Sequence, residues 1–248
     1  MSISLKMFIY GKVPVEEALL QEPQHIEKIF IRKGIPTDTH HNIKELAQQN
    51  QIVISYVPEQ KLVHLVGRVK NQGFVALRSS IRYYNFFQWL EGVELGSDVS
   101  IVILGGLEDP HNVGAVLRSA AASGISAVIV PSSGQAPINA TVVKTSAGTA
   151  GAIPIIRSHS AEQALKDAAL AGFEIFALHQ NASEPLFDLS FTKPAAFFIG
   201  KEGSGIDPSL LKMCNRHIKI PMQNNVESLN ASVSTALMCY EWQRKTGQ

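Results

Sequence analysis

Three polar stretches of this chain, at residues 109–118, 200–205 and 220–233, carry side chains that could do chemistry. They contribute amide, hydroxyl, carboxylate and guanidinium groups together with several glycines. Each stretch follows an apolar run or leads into a helical pattern, which predicts that all three lie at strand ends. Polar groups of these types orient a ligand by hydrogen bonding, and glycine lets the backbone approach it closely. Together, the three stretches predict a ligand site.

The first stretch contains an amide and a guanidinium at helical spacing. Asn112 precedes a helical pattern from Val113 to Ser123, and Arg118 lies within that pattern. A structural interpretation makes Asn112 the helix cap and Arg118 a partner in a surface salt bridge. A functional interpretation makes Arg118 a phosphate-holding group beside an orienting amide. The spacing alone leaves both open, and His111 is typical of a solvated loop histidine.

The second and third stretches predict a backbone-lined pocket. Gly200, Gly203 and Gly205 match neither the dinucleotide fingerprint nor the phosphate loop, so a pocket for an adenosine-like ligand stays open. In the third stretch we expect Ser228 to cap a helix. The apolar positions of that helix are Leu229, Val233, Ala236, Leu237 and Tyr240.

The elements that must position these groups follow an α/β pattern. From residue 100 onward, short apolar runs alternate with helical patterns, which predicts a doubly wound parallel sheet with its ligand site at the carboxyl ends of the strands. The predicted strands are 101–104, 127–130, 153–156, 173–178, 196–199 and 217–220, and the predicted helices include 113–123 and 161–171.

The N-terminal part predicts a separate, smaller α/β sandwich. Its predicted strands are 8–10, 26–31, 52–56 and 73–78, with helices near 15–20 and 43–49. An aromatic-rich stretch at 83–89 then either docks on the core as a connecting helix or stacks on bases. We therefore expect a domain at 1–79, a linker at 80–97 and a second domain at 98–248.

Composition excludes several classes of protein. Hydrophobic residues make up 45% and charged residues 17%, and 22 basic against 21 acidic residues give a net charge of +1, which does not by itself indicate a nucleic-acid binder. Residues 1–78 hold 10 Lys and Arg against 7 Asp and Glu. We see no apolar run long enough to span a bilayer and no secretory signal. Cys214 and Cys239 lack metal-binding spacing, so we expect no zinc site and a cytoplasmic protein with reduced thiols.

Three segments resemble, in order and spacing, the signature motifs of the SpoU family of RNA ribose methyltransferases, in the SPOUT class. They are DPHNVGAVLRSA, FFIGKEGSGI and IPMQNNVESLNASVSTALMCYE. The resemblance implies a C-terminal domain tied into a deep trefoil knot, which general rules of chain topology would never predict. It also implies methyl transfer from S-adenosylmethionine to a ribose 2′-hydroxyl of RNA by a homodimer with its site at the subunit interface, without a metal.

The resemblance also assigns residues to the site. The positions that match the family's functional set are Asn112, Arg118, Glu202, Ser228 and Asn230. The positions that match its cofactor pocket are Gly200, Ile220 and Leu229, with Leu178 and Met222 nearby. We expect Glu202 to position Asn112 or Asn230, and Ser232 to serve helix packing.

The N-terminal segments FIYGKVPVEEAL and NQGFVAL resemble the RNA-binding domain of longer members, notably those that methylate a guanosine of 23S ribosomal RNA. Relatives usually carry Asn or His near Val13 and His where Asn71 stands, so these departures bear on the RNA target. Because an N-terminal domain precedes the catalytic one, ribosomal RNA is favoured over transfer RNA. Alternatives are a transfer-RNA methyltransferase, an inactive RNA-binding or ribosome-assembly protein of the same fold, and a nucleotide-dependent oxidoreductase, which the missing fingerprint disfavours.

Overall fold

The computed structural model describes residues 7–79 and 81–247. Residues 1–6, Ser80 and Gln248, which include the ends of the predicted domains and the start of the predicted linker, lie outside the described residues. The contacts divide the chain into two compact units, residues 1–83 and residues 84–248.

The first unit is a four-stranded sheet with helices. Its strands lie in the order β1, β4, β2, β3, where β2 and β3 run parallel and β4 is antiparallel to both β1 and β2. A core of aliphatic side chains and Phe74 forms between the sheet and the helices, with Val15 and Leu19 of α1 buried in it. The elements are β1 (Met7–Tyr10), α1 (Lys12–Gln21), β2 (Ile26–Arg32), α2 (His41–Gln49), β3 (Val53–Val57), α3 (Glu59–Val66) and β4 (Phe74–Arg78).

The second unit is built on a largely parallel sheet, as the apolar runs predict. The sheet has eight strands in the order β10, β12, β9, β11, β6, β7, β8, β5. Pairing is parallel from β10 through β8. The strands are β5 (Tyr83–Tyr84), β6 (Ser100–Leu104), β7 (Ala127–Pro131), β8 (Ile155–Ser158), β9 (Glu174–Leu178), β10 (Glu184–Pro185), β11 (Ala195–Ile199) and β12 (Arg216–Lys219).

Both faces of this sheet are covered. Ile101 and Ile103 of β6 belong to a core cluster that also holds residues of α7, whereas Val102 and Leu104, which alternate with them on the opposite face, are equally buried. That burial on both faces explains why the strands read as continuous apolar runs. The helices are α4 (Phe86–Leu90), α5 (Pro110–Ala122), α6 (Ala140–Thr145), α7 (Ala161–Leu170), α8 (Pro208–Leu211) and α9 (Ala231–Thr246).

The aromatic-rich stretch docks as a helix. Phe86 of α4 is 3% exposed and lies in the core cluster, with Trp89 and Leu90 packed against it. Asn85 caps this helix through its side chain. Of the two interpretations of the stretch, the docked connecting helix is the one the structure contains.

The last strand lies inside the sheet. β12 sits between β9 and β10, although only residues 179–183 separate β9 from β10 along the chain. Arg216 at the start of β12 forms ion pairs with Glu184 of β10 and, at 3.9 Å, with Glu174 of β9. The C-terminal strand thus lies between two strands that a short earlier connection joins.

Among the described residues, no helix has the length and apolar character needed to cross a membrane. Within the same part of the chain, no group of three or more His, Cys, Asp or Glu side chains is placed to hold a metal ion.

Candidate active site

A pocket of about 400 Å³ opens at the carboxyl ends of three neighbouring strands of the second unit, β9, β11 and β12. All five residues that the sequence predicts for a cofactor pocket line it, and so do three of the predicted catalytic residues. These lining residues are Leu178, Gly200, Ile220, Met222 and Leu229, and Glu202, Ser228 and Asn230. The second and third polar stretches therefore meet at one place.

The glycine stretch forms a tight turn that supplies backbone to the pocket. Lys201 and Gly205 exchange backbone hydrogen bonds at 2.9 and 3.0 Å. A Cβ on Gly200 would stand 2.7 Å from the backbone of Gly205, so no larger residue fits without a shift of the chain. Gly203 and Gly205 have φ of +78° and +71°, a region that other residues rarely adopt. The turn explains the glycine spacing without any phosphate loop.

The third stretch enters the pocket as a loop, not as the start of a helix. Ser228 and Leu229 precede α9, and the helix cap is Asn230, whose Oδ1 accepts a hydrogen bond of 2.9 Å from the backbone N–H of Ser232. The prediction that Ser228 caps the helix is therefore wrong. The side chain of Asn230 sits two residues before Ser232 and so reaches the free N–H there, as cap residues commonly do.

The predicted apolar face of α9 points outward. Val233, Leu237 and Tyr240 are 48%, 37% and 49% exposed, and the buried side of the helix includes Met238 and Trp242. The periodicity predicts the helix correctly, but Val233, Leu237 and Tyr240 form an exposed apolar stripe and do not face the core.

A chain of hydrogen bonds joins all three polar stretches. Asn112 donates from Nδ2 to Oε1 of Glu202, and its Oδ1 accepts a 3.1 Å hydrogen bond from Nδ2 of Asn230. The Oδ1 of Asn230 also accepts from the hydroxyl of Ser232 at 2.6 Å, so Ser232 belongs to this network and does not serve packing alone. Glu202 thus contacts Asn112, one of the two partners expected for it. We call these four residues the amide network.

Arg118 stands apart from the pocket. It lies in the third turn of α5, is exposed, and forms no hydrogen bond or ion pair with any described residue. It is not among the residues that line the pocket. Of the predicted catalytic residues, Asn112 contacts the pocket residues Glu202 and Asn230 through the amide network. The guanidinium of Arg118 does not line the pocket of its own chain.

The start of α5 is fixed by Asp109, not by Asn112. The Asp109 carboxylate accepts a 2.8 Å hydrogen bond from the backbone N–H of His111, and Pro110 occupies the first helical position. The prediction that Asn112 caps the helix is wrong, and its side chain is consequently free for the amide network.

Farther along α5, Gly114 lets α6 approach closely, since a Cβ at Gly114 would stand 2.7 Å from Thr145.

Gln135 supports this region and carried no signal that marked it in the sequence. Its Oε1 accepts hydrogen bonds from the backbone N–H groups of Gly106 and Leu107 at 3.2 and 2.8 Å, and its Nε2 donates to the carbonyl of Leu107 at 2.7 Å. One side chain thus holds the connection between β6 and α5. Because Asn112 follows that connection directly, Gln135 helps to set where the amide network begins.

Seven further polar residues of the pocket were not predicted as site residues: His179, Gln180, Lys201, Ser204, Lys219, Glu227 and Ser234. His179 and Gln180 follow β9, Lys219 ends β12, and Glu227 precedes Ser228. The rule that parallel sheets bind ligands at the carboxyl ends of their strands would have selected His179 and Lys219, since each adjoins a predicted strand end.

Known families and relatives match almost the whole chain in sequence. The family model of the SpoU rRNA Methylase family matches residues 100–240, and a model for RNA 2′-O ribose methyltransferase substrate binding matches residues 8–84. A Staphylococcus epidermidis protein assigned to the TrmH family of tRNA/rRNA methyltransferases is 36% identical over 241 residues, 97% of this chain and 96% of the relative. A Staphylococcus aureus protein with the same assignment is 35% identical over 96% of this chain and 95% of its own length.

Solved structures share the fold. An AdoMet-bound rRNA methyltransferase from Sinorhizobium meliloti has a TM-score of 0.61 at 22% identity and covers 96% of this chain and 87% of its own. An RNA 2′-O ribose methyltransferase has a TM-score of 0.59 at 26% identity, over 98% of this chain and 90% of its own. The A. aeolicus TrmH/SpoU tRNA modifying enzyme has a TM-score of 0.55 at 26% identity, over 60% of this chain and 76% of its own.

Proposed function

The chain belongs to the SpoU rRNA methylase family, and from that membership we propose that it methylates the ribose of a guanosine in 23S ribosomal RNA. Membership establishes the reaction class, which is transfer of a methyl group to a ribose 2′-hydroxyl of RNA. The RNA, the nucleotide and the roles of single residues are our proposal, and the contacts within the second unit support the last of these.

S-adenosylmethionine is the methyl donor of the family, and the pocket fits it. The volume of about 400 Å³ lies within the range of roughly 300–1,000 Å³ usual for small-molecule sites. Gly200 leaves no room for a side chain, so its backbone can face a ligand in the pocket. When bound, the cofactor supplies an electrophilic methyl group on a positively charged sulfur. We assign its binding to the backbone of Gly200, Ile220 and Leu229, with Leu178 and Met222 beside it.

The amide network orients the ribose in this proposal. Asn112 is held from both ends of its amide, by Glu202 and by Asn230, so its rotation is restricted before any substrate arrives. Ser228, which lines the pocket next to Asn230, offers a hydroxyl to the sugar. Alignment of the attacking oxygen with the methyl group supplies much of the rate in such a transfer.

Arg118 activates the hydroxyl indirectly in this proposal. A guanidinium is not deprotonated in proteins, so it does not take the 2′-hydroxyl proton itself. We assign it to the phosphate beside the target nucleotide, where its positive field lowers the pKa of the hydroxyl and the proton leaves to solvent or a neighbouring group. An ionisation in the pH–rate profile that disappears in Arg118→Lys, while RNA affinity stays intact, would instead establish a base role.

We further propose that the active unit is a homodimer in which Arg118 serves the partner's pocket. Two observations support this: Arg118 is exposed and unpaired among the described residues, and α9 carries an exposed apolar stripe of Val233, Leu237 and Tyr240. Exposed apolar stripes of this kind are typical of surfaces that another chain covers.

The share of this chain that each solved structure covers supports ribosomal RNA as the substrate. The structure described as a tRNA modifying enzyme aligns with only 60% of this chain, whereas the structures that align with 96–98% extend over both units. The N-terminal unit, matched at residues 8–84 by the substrate-binding model, is therefore the feature that favours a large RNA target. The family resemblance also supports a cytoplasmic location and a knot, the latter consistent with the insertion of β12 between β9 and β10.

The amide network in contact with the pocket is the observation that carries this proposal. The test is incubation of the purified chain with tritiated S-adenosylmethionine and, separately, with 23S, 16S and transfer RNA. We expect label in 23S RNA alone, at a 2′-O-methylguanosine that disappears from cells lacking the gene. Label in transfer RNA would favour the alternative substrate, and RNA binding without label in any fraction would favour an inactive assembly protein.

A further inference from the structure

One end of the sheet in the first unit carries a concentration of cationic side chains. At this end β1, β2 and β3 finish and β4 begins. We call the five cations there the basic edge. Lys12 begins α1, Arg32 ends β2 and is followed by Lys33, and Arg68 and Lys70 lie between α3 and β4.

Backbone and side-chain hydrogen bonds tie these connections into one surface. The N–H of Arg32 donates to the carbonyl of Gly73 at 2.8 Å, and the N–H of Lys12 donates to Oε1 of Gln72 at 3.0 Å. The connection at 67–73 therefore lies against the ends of both β1 and β2. The five cations share this end of the unit instead of being spread over its surface.

The positive charge of the basic edge is largely uncompensated. Only Arg32 has an ion-pair partner, Glu59 at 3.3 Å, whereas the other four cations pair with no described residue. Asp38 is the other carboxylate of the connections at this end. By contrast, the connections at the opposite end, residues 22–25, 50–52, 79 and 81–82, contain two charged residues of the Lys, Arg, Asp and Glu types, Arg82 and Glu22, and Glu22 is paired with Arg78. Clustered cations without partners repel one another, and a polyanion would relieve that repulsion.

An exposed aromatic ring adjoins the cations. Tyr10, the last residue of β1, is 44% exposed and stands two residues before Lys12. RNA-binding surfaces commonly combine cations that hold phosphates with aromatic rings on which unpaired bases stack.

We propose that the basic edge grips the phosphate backbone of the substrate RNA and that Tyr10 stacks on one of its unpaired bases. The inference rests on the proposed function in one respect, that RNA is the substrate. The proposal also gives different roles to Asn71 and Val13, the two positions at which this chain departs from its relatives. The Oδ1 of Asn71 accepts a 2.7 Å hydrogen bond from the N–H of Gly73 and the residue is buried, so it shapes the loop, whereas Val13 is 57% exposed beside Lys12 and contacts the RNA.

The test uses the full chain and the salt dependence of RNA binding. Affinity for fluorescently labelled 23S RNA is measured from 50 to 300 mM KCl for the wild type and for the double variant Arg68→Gln/Lys70→Gln. Each lost phosphate contact lowers the slope of log affinity against log salt by about 0.7–0.9, so we expect the slope to fall by about 1.5 and affinity to fall at least tenfold at low salt.

A matched control removes the same charge elsewhere. Lys193 and Lys212 are exposed and precede β11 and β12, at the end of the second sheet away from the pocket. Lys193→Gln/Lys212→Gln should keep the wild-type slope. Tyr10→Ala should weaken binding about tenfold with the slope unchanged, and Tyr10→Phe should restore it.

The outcomes distinguish this inference from the function. If the wild type methylates RNA but the double variant at the basic edge keeps the wild-type slope and affinity, the basic edge is not the RNA surface and the proposed function stands. If the slope of the double variant falls as expected while the wild type transfers no methyl group to any RNA, the basic edge binds RNA and the enzymatic proposal fails. Wild-type cofactor affinity in each variant confirms that the second unit is intact.

Discussion

Asn112 uses both ends of its side-chain amide, and this fixes which way it faces. Its Nδ2 donates to the Glu202 carboxylate, which can only accept, so the Oδ1 must turn towards the Nδ2 of Asn230. The orientation of the whole amide network therefore depends on one carboxylate at its end. In the proposed function, Glu202 acts on the substrate through Asn112, without facing RNA phosphates that would repel it.

Replacement of Glu202 should separate turnover from cofactor binding. In Glu202→Ala the amide of Asn112 loses the one carboxylate partner it has among the described residues and rotates, so we expect turnover to fall about 10- to 100-fold. Glu202→Gln keeps an oxygen acceptor and should lose less. Single-turnover methyl transfer and calorimetric titration of S-adenosylmethionine measure the two quantities. Unchanged turnover in the alanine variant would remove Glu202 from the site.

Gln135 is a positioning residue by the same reasoning. Gln135→Ala frees the backbone of Gly106 and Leu107, so Asn112 should lose its fixed position and turnover should fall about tenfold with little change in KM. Gln163→Ala is the control, because its side chain bonds Asp167 on a helix that contributes nothing to the pocket. Equal losses of turnover in Gln135→Ala and Gln163→Ala would show a general effect on stability and not a loss of positioning.

The two thiols should be inert in the folded chain. Burial raises the pKa of Cys214 to about 12 and that of Cys239 also to about 12, so at pH 8 only about one thiol in ten thousand is ionised. Because the folded pKa values exceed those of the unfolded chain, ionisation above about pH 9 favours unfolding. Reaction with Ellman's reagent at pH 8 should require denaturant, and rapid reaction without it would contradict the burial.

At the scale of elements, the turn at 200–205 is the most sharply determined part of the pocket. Close contact leaves room only for glycine at position 200, whereas the positive φ of Gly203 and Gly205 favours glycine there. The turn brings the end of β11 against the backbone of Gly205, and all six of its residues line the pocket.

Gly200→Ala should therefore weaken cofactor binding. The added methyl group would stand 2.7 Å from Gly205 and must displace the turn, so we expect affinity for S-adenosylmethionine to fall at least about tenfold and stability to fall by about 1–3 kcal/mol. Gly151→Ala is the matched control, because a Cβ at Gly151 meets open space and its φ is not positive. Wild-type affinity in Gly200→Ala would mean that the turn does not bind the cofactor.

Helix α9 serves two purposes with two faces. Met238 and Trp242 pack inward, while Val233, Leu237 and Tyr240 remain exposed. The N-terminal cap of the same helix is Asn230, a member of the amide network. The helix therefore links the pocket to the surface at which we propose a second copy binds.

At the scale of the whole molecule, the position of Arg118 makes a shared site testable. If each pocket takes Arg118 from the partner, then Arg118→Ala and Glu202→Ala should each be impaired alone, and a mixture of the two should recover activity. Random pairing places both intact groups in one site of each mixed dimer, so recovery should approach about a quarter of wild-type turnover. Leu237→Arg should give monomers in analytical ultracentrifugation and abolish the recovery. No recovery in stable mixed dimers would place Arg118 in its own subunit's site.

The sequence determined most of the long elements and the class of reaction. Continuous apolar runs marked the buried strands, and the strand from 101 to 104 and the helix at 161–171 were located within a residue or two. The three motifs identified the family, and eight of the ten site residues that the resemblance assigned line the pocket. Short or weakly patterned elements such as α6, α8 and β10 were missed, because they bury too few side chains to leave a period in the sequence.

What only the tertiary structure decided is which of these residues meet, and on which side of an element each one lies. Capping depends on backbone geometry at a single residue, so Asp109 and Asn230 took the positions expected for Asn112 and Ser228. The outward face of α9 and the insertion of β12 follow from packing between segments far apart in the chain. A local pattern records how a residue relates to its neighbours in sequence, whereas the amide network joins positions 112, 202 and 230, and only the folded chain brings those together.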